Sequence, residues 1–176
     1  MRLLRCPVST PLGDIILLHD QDALVALLWG DGIDRGRAHL NRHLPAWTED
    51  TVSSIPDCTD ALEAYFAGDI RALSAIRVRP PGTPFQREVW STLATISPGE
   101  AWSYKTLAAR VGRPTAQRAV AGANSKNPIP LVIPCHRVIA ADGQLGGFSC
   151  GLHRKIWLLE HEGIPFKTRE RSPSST

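Results

Sequence analysis

Two segments rich in Ile, Leu and Val, Leu12 to Leu18 and Ala23 to Trp29, are separated by the polar stretch His19-Asp20-Gln21-Asp22. That pattern predicts a β-hairpin. Helical spacing follows, with one helix predicted near Asp34 to Leu44 and a second from Asp57, whose Asp60, Leu62, Tyr65 and Phe66 precede a glycine stop at Gly68. The first half therefore reads as α+β. Arg79-Pro80-Pro81-Gly82-Thr83-Pro84 combines stiff prolines with a glycine and reads as a linker between domains at 1–80 and 83–168, with 169–176 as a flexible tail. Beyond it, Thr83-Pro84-Phe85-Gln86 is a capping box with proline at the first helical position. The stripe Phe85, Val89, Trp90, Leu93 and Ile96 predicts a helix that ends at Ser97-Pro98-Gly99. Ser103 can cap a short helix carrying Tyr104, Leu107, Ala108 and Val111, and Arg113-Pro114-Thr115 turns the chain into a second helix, Ala116 to Asn124. Helix, tight turn, helix is the result. Leu131-Val132-Ile133 reads as a buried strand, and Leu152 to Glu162 as a last helix stopped by Gly163.

Composition narrows the class. The chain has 176 residues, 43% apolar and 21% charged, which excludes wholesale disorder and collagen-like or fibrous architectures. The longest apolar run, Ala23 to Trp29, is far short of the roughly 18 residues of a membrane span, and Met1 to Pro7 has no signal-peptide core. A cytoplasmic location is the expectation. Cys6, Cys58, Cys135 and Cys150 form no Cys-x-x-Cys pair, which suits a reducing compartment. The net charge of +3 divides unevenly: up to Gly82 there are 8 basic and 11 acidic residues, and after it 12 and 6. The second half is the one suited to a polyanion.

The chemistry concentrates in Ile133-Pro134-Cys135-His136-Arg137-Val138-Ile139, where a thiol, an imidazole and a guanidinium are consecutive between apolar flanks. A cysteine with a pKa of about 8.5 needs a cation, a helix start or an adjacent base to become nucleophilic. The base in turn needs an orienting carboxylate. Glu160 and Glu162 both end the last helix, and spacing does not choose between them. Cys6 and Cys58 read as packing residues, and the Cys and His residues, His19, His39 and His43 included, lack zinc-ligand spacing. In the helix Ala116 to Asn124 a single arginine, Arg118, projects from alanine and glycine. Ala119 and Gly122 fit either tight packing within the core or close approach to a partner. The helix has few side chains able to read base edges in a major groove.

Taken together and in this order, these motifs resemble the O6-alkylguanine-DNA alkyltransferases, the methylated-DNA–protein-cysteine methyltransferases. The resemblance rests on Gly82-Thr83-Pro84-Phe85-Gln86, Ser103-Tyr104, Arg118-Ala119-Val120, Asn127-Pro128, Pro134-Cys135-His136-Arg137-Val138-Ile139 and Leu158-Leu159-Glu160-His161-Glu162-Gly163. Thr10-Pro11-Leu12-Gly13 and Tyr65-Phe66-Ala67-Gly68 extend it more loosely into the first half. It implies a ribonuclease-H-like α+β N-terminal domain and a mainly α, winged-helix-like DNA-binding domain. It also implies a single-turnover transfer of the alkyl group from O6-alkylguanine in double-stranded DNA, with O4-alkylthymine as a further candidate substrate.

By the resemblance, Cys135 is the alkyl acceptor, His136 removes its proton through a water, and Glu162 orients the imidazole. Asn127 braces the active-site turn, and Tyr104 hydrogen-bonds the guanine and assists its departure. Arg118 fills the gap left by the flipped nucleotide as the second helix enters the minor groove. Ser103, Thr115, Gln117, Ala119 and Gly122 accompany it on the DNA side. Asn124, Pro130, Val138, Phe148, Ser149 and Cys150 form the substrate pocket. A monomer with no cofactor, metal or membrane partner is implied. Phe148 stands where the family usually has tyrosine, Cys150 where it usually has glycine, and Ala121 where it usually has glycine. The bulk of Cys150 leads to the expectation that it restricts large adducts. The main rival reading is a non-catalytic protein of the same fold that binds alkylated DNA. A sequence-specific regulator and a cysteine hydrolase are the less favoured alternatives.

Overall fold

The computed structural model describes residues 1–168, so the expected tail at 169–176 lies outside the described residues. Strands β1 (Arg2–Val8), β2 (Ile15–His19), β3 (Leu24–Trp29) and β4 (Thr48–Thr51) form one sheet in the order β3-β2-β1-β4. β1–β2 and β2–β3 are antiparallel, and β1–β4 is parallel. The predicted hairpin is β2–β3, and its turn is held by Asp20 Oδ1, which accepts the N–H groups of Asp22 and Ala23 at 2.8 Å each. Every residue of β3 is buried, which explains its unbroken apolar run. β1 and β4 were not among the predicted elements. β1 carries Pro7 and alternates poorly. β4 is a short polar edge strand whose Glu49 and Asp50 pair with Arg5, Arg37 and Arg2, and charge at an edge discourages further strand addition.

Helices α1 (Ile33–His43) and α2 (Pro56–Phe66) complete the first half. The proline-rich junction is not a free hinge. Leu24 N–H donates to Arg77 O at 2.9 Å, and Arg79 N–H donates to Leu24 O at 2.8 Å, so the chain runs along β3 before leaving it. At Gly82 an added Cβ would lie 2.4 Å from the Trp90 ring, so only glycine lets the backbone approach that closely. One apolar core runs from Cys6, Leu62 and Tyr65 through Trp90 and Leu107 to Val138 and Leu158.

The second half contains α3 (Pro84–Leu93), β5 (Trp102–Ser103), α4 (Tyr104–Arg110), α5 (Gln117–Ser125), β6 (Val138–Ile139) and α6 (Leu152–His161). Both bonds of the capping box form, Gln86 N–H to Thr83 Oγ1 at 3.2 Å and Thr83 N–H to Gln86 Oε1 at 3.0 Å. Two expectations are corrected. First, α3 stops at Leu93 and not at Ser97, because Thr95 and Ile96 turn back onto Thr92 and Leu93. Ile96 stays buried, and its carbonyl is left for another partner. Second, Leu131-Val132-Ile133 is a turn and not a strand. Leu131 has φ +75°, Ile133 N–H donates to Ile129 O at 2.9 Å, and the Asn127 amide holds both sides of the loop. Leu131 and Ile133 are buried because of where that turn lies, and the segment's β character is limited to an isolated bridge between Pro130 and Ile133.

Candidate active site

Pro134 leads into a single 3-10 turn, Cys135–Arg137, which sets the His136 and Arg137 side chains against the end of α6 and leaves Cys135 on a cavity wall. His136 is wholly buried, and its Nε2 lies 2.9 Å from Glu162 Oε2. An ionised carboxylate only accepts, so this bond holds the proton on Nε2. Nδ1 is buried without a hydrogen-bond partner and keeps a free lone pair. Of the two carboxylates that spacing left open, Glu160 is exposed, while Glu162, the C-cap of α6 and the residue the resemblance pointed to, is the one that meets the imidazole. Asn127 stabilises the preceding loop: its Nδ2 donates to Ile133 O at 2.8 Å, and its Oδ1 accepts Ile129 N–H at 3.0 Å.

The electrostatics separate the roles. Burial, reinforced by Cys150, pushes the Cys135 thiol up to about 12, while Asn127 and the Lys155 charge pull it down. In the closed site the sulfur is therefore a thiol, and its nucleophilic form requires a base. Burial holds the His136 imidazole below its ordinary value despite the opposing pull of Glu162, which leaves it neutral and able to take a proton. Burial disfavours the Glu162 charge, but the hydrogen bonds and charges of His136 and Arg137 prevail and hold its carboxyl at about 2.

The structure adds three contacts that sequence reasoning did not foresee, made by Arg137, Tyr65 and Lys155. Arg137 forks onto Glu162 through Nε at 3.1 Å and Nη2 at 2.5 Å, and its Nη1 donates to the Ile96 carbonyl at 2.8 Å. Tyr65 of α2 donates its O–H to Glu162 Oε1 at 3.2 Å, so the first half of the chain contributes directly to the relay. Lys155 is fully buried, with Nζ donating to Val138 O at 2.7 Å and Gly147 O at 3.1 Å. Only Arg137 carried a sequence signal, through its adjacency to the thiol. Lys155→Met is expected to raise the apparent ionisation pH of Cys135 by about one unit, slowing its alkylation near neutrality about tenfold. Iodoacetamide trapping across pH, read by mass, checks this; an unmoved profile would leave Lys155 a purely structural role.

Cys135 opens onto a cavity of about 340 Å³ lined also by Tyr104, Asn124, Phe148 and Ser149. Asn124 is buried, and its Oδ1 has no hydrogen-bond partner, so an acceptor waits on the cavity wall. Tyr104, the first residue of α4, lies close enough to Gly146 that an added Cβ there would meet its hydroxyl at 3.2 Å. The other expected pocket residues lie elsewhere. Pro130 and Cys150 face an adjoining recess, and Val138 is buried with its carbonyl bonded to Lys155.

The helix pair stands beside this cavity. α5 packs on α3 through Trp90 Nε1–H, which donates to Ala123 O at 2.8 Å, and it buries Val120, Ala123 and Asn124. Thr115, Gln117, Arg118 and Ala119 are exposed, and a Cβ built on Gly122 meets nothing within 4 Å. Core packing therefore explains Ala123 but not Ala119 or Gly122, which leave an open outer face. Ser103 is occupied as the α4 cap, accepting Thr106 N–H at 3.0 Å. Among the described residues no group of three or more His, Cys, Asp or Glu side chains is placed to hold a metal ion, and no helix is long and apolar enough to cross a membrane.

A buried thiol next in sequence to a buried His–Glu pair, near a helix-turn-helix whose second helix has an exposed outer face carrying Arg118, fits the class of cysteine-dependent group-transfer proteins that work against a large partner. Residues 7–80 match the 6-O-methylguanine DNA methyltransferase ribonuclease-like domain, and residues 84–164 match the DNA-binding domain of the same family. The chain is similar to the methylated-DNA–protein-cysteine methyltransferase of Salmonella typhimurium, 43% identical over 166 residues, 93% of this chain and 97% of that one. The Methanosarcina acetivorans protein of the same name is 37% identical over 156 residues, covering 88% and 95% of the two chains. Among solved structures, Mycobacterium tuberculosis O6-methylguanine methyltransferase superposes with a TM-score of 0.74 at 35% identity, covering 98% of this chain and 96% of that one. A DNA complex of the M. tuberculosis protein gives 0.74 at 34% identity, covering 92% and 95%. The chain belongs to the 6-O-methylguanine DNA methyltransferase family, and its two-part architecture is the family's own.

Proposed function

We propose that this protein repairs O6-alkylguanine in duplex DNA by moving the alkyl group to Cys135, once per molecule. The observation that carries the reading is the unpartnered Nδ1 of His136 in a relay whose thiol opens onto a cavity beside the exposed face of α5. His136 takes the thiol proton through a water, and Glu162 stabilises the resulting imidazolium. The sulfur attacks the saturated carbon: an S–C bond forms, the C–O6 bond breaks, and guanine leaves as its anion with Tyr104 as hydrogen-bond donor at its edge. The product is a thioether, which offers no carbonyl for water to attack, so the thiol is not regenerated. Asn124 and Ser149 line the space for the base, and α5 enters the minor groove with Arg118 in the place of the extruded nucleotide. Residues 83–168 carry the acceptor and the DNA face, while 1–80 supplies Tyr65 to the relay. All four cysteines are free, which suits a reducing cytoplasm.

Incubation with a duplex containing O6-methylguanine, followed by intact-mass measurement, tests the proposal. One added methyl per chain, mapped to the Cys135 peptide, is the expected result. Lesion-selective binding without a mass change would support the non-catalytic rival, and no preference for the lesion would defeat both.

Arg118→Ala is expected to slow transfer from duplex DNA by about 10- to 100-fold, since extrusion of a base costs a few kcal/mol that the arginine helps to offset. Transfer from the free base O6-benzylguanine should be unchanged. Equal losses on both substrates would remove Arg118 from the extrusion step. Cys150→Gly is expected to raise the ratio of benzyl to methyl transfer. An unchanged ratio would show that the Cys150 side chain does not restrict large adducts.

A further inference from the structure

Adjoining the cavity that holds Cys135 is a second recess of about 260 Å³ between the two halves of the molecule. The two spaces share Ser125 and Ser149, and Pro130 and Cys150 face the second. Its far wall is built by the end of β3 and by α1, with Trp29 and Leu28 supplying apolar surface.

The charge in this recess is one-sided. Arg35, Arg42 and Lys126 line it, and none of the three has a carboxylate partner among the described residues. Arg35 Nη2 donates to the Ser149 carbonyl at 2.9 Å, a neutral acceptor that leaves the guanidinium charge uncompensated and fixes it at the wall the two spaces share. The one acidic lining residue, Asp31, is held by Arg154 Nη1 at 3.0 Å from each carboxylate oxygen, so its charge is already matched. His39 reports the same field: burial, and then the neighbouring His43, Arg42 and Lys126, hold its imidazole below the usual value against the bond to Pro81 O.

We infer that this recess receives the far end of long O6-substituents and favours those that end in an anionic group, an alkyl carboxylate being the simplest. The inference rests on the alkyl-transfer reading given above. Attack on the first carbon sets sulfur, carbon and O6 in line, so the rest of a long substituent leaves that line sideways, and the recess that shares Ser125 and Ser149 with the cavity is the neighbouring space able to take it. The apolar lining suits the methylene chain, and the three unpaired cations suit its terminus. In the transfer itself the S–C bond forms and the C–O6 bond breaks as for methyl, while the carboxylate stays intact. Exposed cations are screened by salt, so the preference should weaken as ionic strength rises.

Three duplexes test it, carrying O6-methylguanine, O6-(4-carboxybutyl)guanine or the corresponding primary carboxamide, with single-turnover rates read by intact mass. Each rate is divided by the same protein's methyl rate, so changes in DNA binding cancel. The expected result is a carboxylate-to-carboxamide ratio of about tenfold at low salt, reduced toward unity at high salt and in both Arg35→Gln and Lys126→Gln. A ratio of one or less in the unaltered protein, or a ratio that neither substitution moves, overturns the inference. Failure of methyl transfer itself overturns the repair reading instead, so the two failures are distinguishable.

Discussion

Cys135→Ala is expected to take up no methyl group from an O6-methylguanine duplex at any incubation time, while still binding that duplex with the affinity of the unaltered protein. The side chain is 3% exposed and contributes one sulfur to a well-packed wall, so its loss removes the acceptor with little effect on the fold, on the order of 1 kcal/mol. The cavity, the Asn124 acceptor and the α5 face do not depend on the sulfur. Intact mass after incubation and a binding isotherm on the same preparation check both halves. Methyl uptake that persists in the variant, for example on Cys150, would move the acceptor away from Cys135.

Glu162→Gln should have the second-largest effect, on both stability and rate. Glu162 accepts hydrogen bonds from His136, both arms of Arg137 and Tyr65, and its side chain is fully buried. The glutamine amide removes the charge that Arg137 was placed to meet, and breaking a buried pair from one side costs about 3–5 kcal/mol. It also no longer fixes the proton on His136 Nε2, so transfer should slow by about 10²- to 10⁴-fold, the usual contribution of a positioned base. Urea unfolding and single-turnover transfer measure the two effects separately. Cys135→Ala combined with Glu162→Gln gives the stability effect without the chemistry.

The same carboxylate predicts an acid dependence. Its pKa falls from an ordinary 4.5 to about 2 on folding, so it stabilises the fold fully above about pH 4.5. That stabilisation, about 3 kcal/mol from the shift, disappears as the pH drops through 4.5 toward 2, where the folded state too is protonated. Glu162→Gln should flatten the stability curve in that window. An identical acid slope in both proteins would assign the low-pH loss to other carboxylates.

Much of this was written in local sequence. The β2–β3 hairpin followed from an apolar run broken by Asp20, α3 from its capping box, and α4 from Ser103, because each is decided by groups only a few residues apart. The thiol, imidazole and guanidinium were visible for the same reason: they are consecutive. β1 and β4 were not, since Arg2–Val8 alternates poorly and Thr48–Thr51 is polar, and both exist as strands only through the partners the sheet supplies. Leu131 to Ile133 misled because burial and strand share one apolar signature. There the side-chain bracket of Asn127 on Ile129 and Ile133, which an apolar pattern does not register, prevailed over β preference.

By itself the sequence determined the candidate nucleophile, the imidazole beside it, the helix-turn-helix and the basic character of the half that carries them. Spacing alone did not choose between Glu160 and Glu162, and it left core packing open beside partner approach for Ala119 and Gly122. Tertiary structure decided both: Glu162 lies where α6 ends against the Cys135 turn, and Gly122 faces open space. It also brought in Tyr65 from 97 residues away and Lys155 from the interior of α6. Hydrogen bonds and burial depend on distances across the fold, and those distances exist only once the two halves close around a single core.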